Sequence, residues 1–78
     1  MLIDHPEIIL DLSGLLCPLP VLKARKRLNA MASGAVLVVI ATDPMAAIDI
    51  PHFCNEQGHR LESQSTDGNI LTFRIKRK

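Results

Sequence analysis

One cysteine stands between a turn-forming pair and two prolines in the stretch Ser13-Gly14-Leu15-Leu16-Cys17-Pro18-Leu19-Pro20. Pro18 and Pro20 lack N–H donors, but their backbone angle is already set for the opening turn of a helix. A helix is therefore expected to begin directly after Cys17, with Cys17 as its cap. At that place the free N–H of Leu19, with that of Val21 further in, the partial positive charge of the helix start and the cations of the same helix favour a thiolate over a thiol. An exposed nucleophilic sulfur is the chemistry this spacing offers. No histidine stands near it in sequence to act as a base, and no C-x-x-C partner is present for disulfide exchange. Such a sulfur can attack or carry. A chain of 78 residues buries roughly 60% of its unfolded surface, which makes one thin core and no enclosed substrate cavity. The chemistry belongs on the surface, as in a carrier whose loaded form, a persulfide, is presented to larger enzymes. The residues alone leave a second role open, in which Cys17 fills space where a strand meets a helix.

The elements that must position Cys17 are readable on both sides of it. Glu7-Ile8-Ile9-Leu10-Asp11-Leu12 is short, rich in β-branched residues and closed by Ser13-Gly14, which predicts a first strand. From Pro18 onward Val21, Ala24, Leu28, Met31 and Ala32 recur at helical spacing, with Lys23, Lys26 and Arg27 on the other side and Ser33-Gly34 as the stop. Val36 to Ile40 is apolar on both faces and is expected in the middle of a sheet. Thr42-Asp43-Pro44 then starts a second helix, with Asp43 as its cap. Pro51 should kink or restart that helix, Asp49 capping the part from Ile50 to Gln57, and Gly58 should close it. Arg60 to Ser65 and Ile70 to Lys76 read as strands of a hairpin turned at Asp67-Gly68. The fold class is α/β: a two-layer α/β sandwich in the order βαβαββ, with a mixed four-stranded sheet and two helices on one face. Residues 1–78 are read as a single domain.

Composition excludes several functions. Nine Lys plus Arg face eight Asp plus Glu, so no global field selects for nucleic acid or membranes. Locally, Lys23, Arg25, Lys26 and Arg27 form one basic patch and Arg74, Lys76, Arg77 and Lys78 another, the latter expected to keep the chain soluble and to protect a sheet edge. With Phe53 and Phe73 as the only aromatics of the Phe, Tyr and Trp class, stacking on single-stranded bases is disfavoured. Met1 to Pro6 lacks the features of a signal peptide and no apolar run is long enough to span a bilayer, which makes a cytoplasmic, reducing location the expectation. Cys17 and Cys54 are then thiols rather than a structural disulfide.

The sequence resembles the TusA/SirA-like sulfur carriers, whose hallmark is Cys-Pro-x-Pro at the start of the first helix. Asp11, Gly14, Cys17, Pro18 and Pro20 match the first motif in spacing, and Arg25 matches a basic position on the first helix. Asp43-Pro44, Asp49-Ile50-Pro51 and Cys54 match the second block, and Gly58-His59 with Leu61 the entry to the third strand. The resemblance implies the same βαβαββ fold. It also implies that Cys17 accepts sulfane sulfur as a persulfide from a cysteine desulfurase or a rhodanese-type enzyme and passes it to an acceptor sulfurtransferase protein. The chain would then be a sulfurtransferase component rather than a free-standing enzyme, with no cofactor. Destinations in such proteins include 2-thiouridine in tRNA, molybdenum cofactor biosynthesis and dissimilatory sulfur metabolism. Leu16 and Leu19 stand where close relatives of the tRNA-thiolation carrier tend to have Arg and Glu.

On this reading Cys17 is the carrier, while Gly14, Pro18 and Pro20 shape the turn and Arg25 with Asp43 docks partners. Arg25 also suits a plain solvated helix face, and capping by itself explains Asp43. Cys54 is expected as a buried structural thiol. The spacing of His52, Cys54 and His59 matches no usual metal motif, so no metal is assigned. A different class also stays open: a non-catalytic regulatory or RNA-contacting module that uses the basic first helix, whose binding would fall steeply with salt.

Overall fold

The computed structural model describes residues 7–78; the reading of Met1 to Pro6 lies outside the described residues. The chain runs β1 (Glu7–Leu12), α1 (Leu19–Asn29), β2 (Val36–Ala41), α2 (Ala46–Gln57), β3 (Arg60–Asp67) and β4 (Ile70–Lys76). The four strands form one mixed sheet in the order β1-β2-β4-β3. β1 pairs parallel with β2, from Glu7 opposite Val36 to Leu12 opposite Ala41. β4 runs antiparallel to both of its neighbours. Parallel pairing of β1 and β2 needs a crossover, and α1 supplies it. β2 and β3 are also parallel to each other with β4 between them, so α2 is a second crossover in the same direction. Two crossovers of the usual right hand place both helices on one face.

Alternation in the strands shows which face that is. Leu37, Val39 and Ala41 of β2, Leu71, Phe73 and Ile75 of β4 and Leu12 of β1 are buried, and they meet Ala24 and Leu28 of α1 and Ala46, Ile50, Phe53 and Cys54 of α2. On the opposite face Val36, Val38 and Ile40 are half-buried and Ile9 is 68% exposed. Arg74 crosses that open face, pairing with Glu7 on β1 and with Glu62 on β3. Because β4 is an inner strand, the carboxyl-terminal cations do not guard a sheet edge; Arg74 ties the two outer strands together instead. Arg77 donates from Nε to the Leu28 carbonyl at 2.7 Å, satisfying one of the carbonyls left free at the end of α1.

Two helix readings need correction. α1 ends at Asn29 with Ala30 as its cap, not at Gly34, and the N–H groups of Ala30 and Met31 turn back to Arg27 and Leu28. Met31 keeps its apolar spacing because this turn still aims it at the core. Gly34 does adopt φ 87°, but in the connection to β2, where its N–H reaches the Arg77 carbonyl at 2.9 Å. α2 begins at Ala46 rather than Pro44 and runs through Pro51 as one element. Pro51 lies in its second turn, where the missing N–H costs one bond without ending the helix. Gly58 closes α2 in the left-handed conformation, as expected.

His59 follows that cap and is buried against Phe53, ring centroids 5.7 Å apart. Its Nδ1 accepts the Lys78 N–H at 3.2 Å. Burial first, then the charges of Lys78 and Arg77, lowers its pKa from the usual 6.5. A histidine depressed in the folded state stabilises the fold above its unfolded pKa and loses that contribution as pH falls through the folded value. Thermal denaturation between about pH 7.5 and pH 5 should therefore show the wild-type midpoint dropping more steeply below about pH 6.5 than that of His59→Gln. Parallel curves for the two proteins would exclude this role for His59.

Candidate functional site

The paired ends of β1 and β2, Leu12 opposite Ala41, bring two connections side by side at the carboxyl end of the parallel pair, the place where open α/β sheets gather their chemistry. One carries Cys17; the other carries Thr42 and Asp43. After β1 the chain turns sharply: Asp11 Oδ1 accepts from the Ser13 N–H and hydroxyl at 3.0 and 2.6 Å, and Gly14 sits at φ 83°. Only glycine takes that backbone region readily. The Gly14 N–H then donates to Thr42 Oγ1 at 2.8 Å. This bond joins the two loops.

Asp43 makes the second tie. It is 8% exposed; its Oδ2 accepts the Cys17 N–H at 2.6 Å and its Oδ1 accepts the Met45 N–H at 3.2 Å. The same carboxylate thus holds the backbone of Cys17 and shapes the turn that leads into α2. Its expected capping role is real but partial, because the helix proper starts three residues later. Asp43 is a bridge between the two loops.

Cys17 lies one residue outside the cap of α1, which is Pro18. The reason is local: the Leu19 N–H is spent on the Leu16 carbonyl at 2.9 Å and Leu22 closes on the Pro18 carbonyl at 3.2 Å. The Leu19 N–H, the first of the expected donors to sulfur, therefore points elsewhere. The Cys17–Pro18 peptide is cis, Pro20 is buried in the first turn of α1, and the Cys17 thiol is exposed. Its polar neighbour is a carboxylate, with Sγ donating to Asp49 Oδ2 at 3.3 Å. That hydrogen bond first, then desolvation and the negative charges of Asp49 and Asp43, pushes the thiol above its ordinary range. A thiolate favoured by the helix start is thus replaced by a thiol held protonated, since Asp49 accepts its proton and the charges of Asp49 and Asp43 oppose ionisation.

Asp49 is the residue that the sequence reading placed wrongly. As the cap of a broken helix it had no link to Cys17; in a continuous α2 it lies in the first turn, beside the cysteine. The signal was present in the paired aspartates, Asp43 and Asp49, which bracket the start of one helix.

Next to Cys17, bordered by Pro18 and Asp49, a groove of about 290 Å³ runs between α1 and α2. Pro18, Val21, Leu22 and Phe53 give it an apolar lining, and Arg25, Asp49, His52 and Glu56 supply charge and hydrogen bonding. Arg25 therefore stands apart from Lys23, Lys26 and Arg27, which border a separate hollow with Leu10 and Ala30. Of the seven large apolar residues exposed among the described residues, Leu16, Leu19, Leu22, Met45 and Ile48 lie on the two segments that Cys17, Asp43 and Asp49 join. Cys54 is buried in the core, and desolvation raises its thiol to about 11. Among the described residues no group of three or more His, Cys, Asp and Glu side chains is arranged to hold a metal ion, and no helix is long and apolar enough to cross a membrane.

Loss of the Asp43 carboxylate leaves two N–H groups without their partners, which typically costs about 1–3 kcal/mol in a part-buried place. Residue-resolved amide exchange should show the Cys17 N–H of Asp43→Ala exchanging about tenfold faster or more. An unchanged rate at Cys17 would mean that the bridge does not restrain it.

Comparison with known proteins bears on the family and the fold. Residues 8–77 match the family model described as Sulfurtransferase TusA. The chain is 50% identical over 68 residues to the Sulfur carrier protein TusA of Allochromatium vinosum, covering 87% of this chain and 90% of that one. It is 44% identical over 73 residues to the Sulfur carrier protein TusA of Pseudomonas putida, covering 94% and 91%. The crystal structure of a SirA-like protein from Desulfitobacterium hafniense superposes with a TM-score of 0.78 at 24% identity, over 88% of this chain and 95% of that one, which supports the fold. The chain belongs to the TusA sulfurtransferase family.

Proposed function

We propose that this protein is a sulfur carrier in which Cys17 takes up sulfane sulfur as a persulfide and hands it to an acceptor protein. The observation that carries this reading is the place of the thiol: exposed, yet held at its own backbone N–H by Asp43 and at its sulfur by Asp49. A site so shallow cannot enclose a small substrate, so the rest of the reaction site comes from partners. Those partners are a donor, of the cysteine desulfurase or rhodanese type, and an acceptor sulfurtransferase. Downstream use in tRNA thiolation or molybdenum cofactor synthesis fits the same chemistry.

Both prolines and Gly14 serve by shape. Gly14 turns the chain out of β1, Pro18 caps α1, and Pro20 seats that helix on the core. The exposed Leu16, Leu19, Leu22, Met45 and Ile48 form the apolar ground on which a partner lands, since clustered exposed apolar residues mark contact surfaces. Arg25 supplies a charge within the groove for an acidic residue of the partner.

Incubation with a cysteine desulfurase and cysteine, followed by intact-protein mass spectrometry without reductant, should add one sulfur mass to wild type and none to Cys17→Ser. Sulfur uptake surviving in Cys17→Ser would refute the assignment. Arg25→Ala should weaken binding of the protein donor and flatten the salt dependence of its association rate. Identical salt slopes for both proteins would remove Arg25 from the docking surface.

A further inference from the structure

The carrier reading explains why a sulfur is exposed; it does not explain why one carboxylate sits against it and a second against its backbone N–H. A nucleophilic cysteine ordinarily has cations or free N–H groups around it, which favour the thiolate. Here Asp49 Oδ2 accepts the thiol at 3.3 Å, and Asp43, on the connection between β2 and α2, is bonded to the N–H of the same residue. The other groups facing this place are Arg25 from α1 and His52 and Glu56 from α2, all along the groove. His52 and Glu56 are paired with each other at 3.3 Å, whereas Arg25 forms no ion pair among the described residues.

We propose that Asp49 keeps the sulfur of the unloaded carrier in its quiet thiol form, pinned at the first turn of α2, and that a cation of the docking donor or acceptor, paired with Asp49, frees it. This rests on the carrier reading above and adds the chemistry of the partner: a lysine or arginine placed to face Asp49. A thiol in the free protein is a poor target for oxidants and electrophiles, which react with thiolates. A cation beside Asp49 competes with the thiol for its oxygens and offsets its negative charge, and both changes favour ionisation of Cys17.

The loading step then balances without an added oxidant. Cys17 loses its proton and its sulfur bonds to the terminal sulfur of the donor's persulfide. The donor's S–S bond breaks, and its cysteine sulfur leaves with the electron pair and takes up a proton. One S–H and one S–S bond are lost and one of each is formed. The loaded cysteine no longer has an Sγ proton to donate to Asp49. Its terminal sulfur, as an anion, is repelled by both carboxylates and turns outward to the acceptor.

The test is a charge series at one position: wild type, Asp49→Asn and Asp49→Lys, the lysine standing in for the partner's cation. The rate of alkylation of Cys17 by iodoacetamide is followed against pH by site-resolved mass spectrometry. Cys54, buried and raised to about 11, reacts far more slowly and is scored separately. The pH at half-maximal rate should fall in the order Asp, Asn, Lys, and near neutral pH Asn should react about threefold faster or more than wild type. A purely structural role for Asp49 moves stability but not this profile, and thermal midpoints of all three proteins are measured alongside. Asp49→Asn alone decides the matter if the lysine variant does not fold. Superimposable profiles for wild type and Asp49→Asn, or the reverse order, would overturn the proposal. Loading of the same proteins from glutathione persulfide, a donor with no docking surface, should likewise be faster in Asp49→Asn; equal rates would count against the latch. A wild type that takes up no sulfur from any donor would defeat the carrier reading instead, and the alkylation series would still decide the role of Asp49.

Discussion

Asp43 uses its two carboxylate oxygens on two different segments: one on the Cys17 N–H at 2.6 Å, the other on the Met45 N–H at 3.2 Å. Cys17 lies in a connection whose other tie to the neighbouring loop, from the Gly14 N–H to Thr42 Oγ1, is three residues before it. With the bridge in place, the cysteine loop, the turn into α2 and the first turn of that helix become one unit. Asp49 then reaches the thiol, and the groove between the helices opens beside it. This arrangement depends on the sheet order, because only a parallel β1–β2 pair ends both strands at the same side.

The electrostatics of the site follow from the same unit. Asp43 organises the backbone, and its charge together with that of Asp49 opposes ionisation of the sulfur it presents. Structural order and nucleophilicity therefore pull in opposite directions here. A carrier that meets its partners one at a time gains from this conflict: the sulfur is placed accurately while remaining inert in free solution. Exposure of Leu16, Leu19, Leu22, Met45 and Ile48 on the joined segments fits the same account, since desolvation by a partner strengthens any ion pair formed beneath it.

The strands were readable because their signal is local. Leu71, Phe73 and Ile75 alternate with polar residues, and all three are buried; Asp67-Gly68 marks the hairpin, with Gly68 at φ 61°. Helix ends were less readable. Met31 continues the apolar spacing of α1 although the helix has ended at Asn29, since a turn can aim a side chain at the core as well as a helix does. Pro51 suggested a break, and that break concealed Asp49. The candidate nucleophile itself was legible from the prolines around it, but its ionisation state was not. That state is set by Asp43 and Asp49, 26 and 32 residues away in sequence, and no local pattern reports contacts at that distance.

The most direct measurement of the account is the titration of Cys17 itself, followed through the Cβ carbon resonance of isotopically enriched cysteine in the free wild-type protein. The account predicts a midpoint above the ordinary thiol value of 9.0, with the resonance of buried Cys54 resolved from it. A midpoint below that value would show a thiolate favoured in the free carrier, and would contradict the role given to the two aspartates.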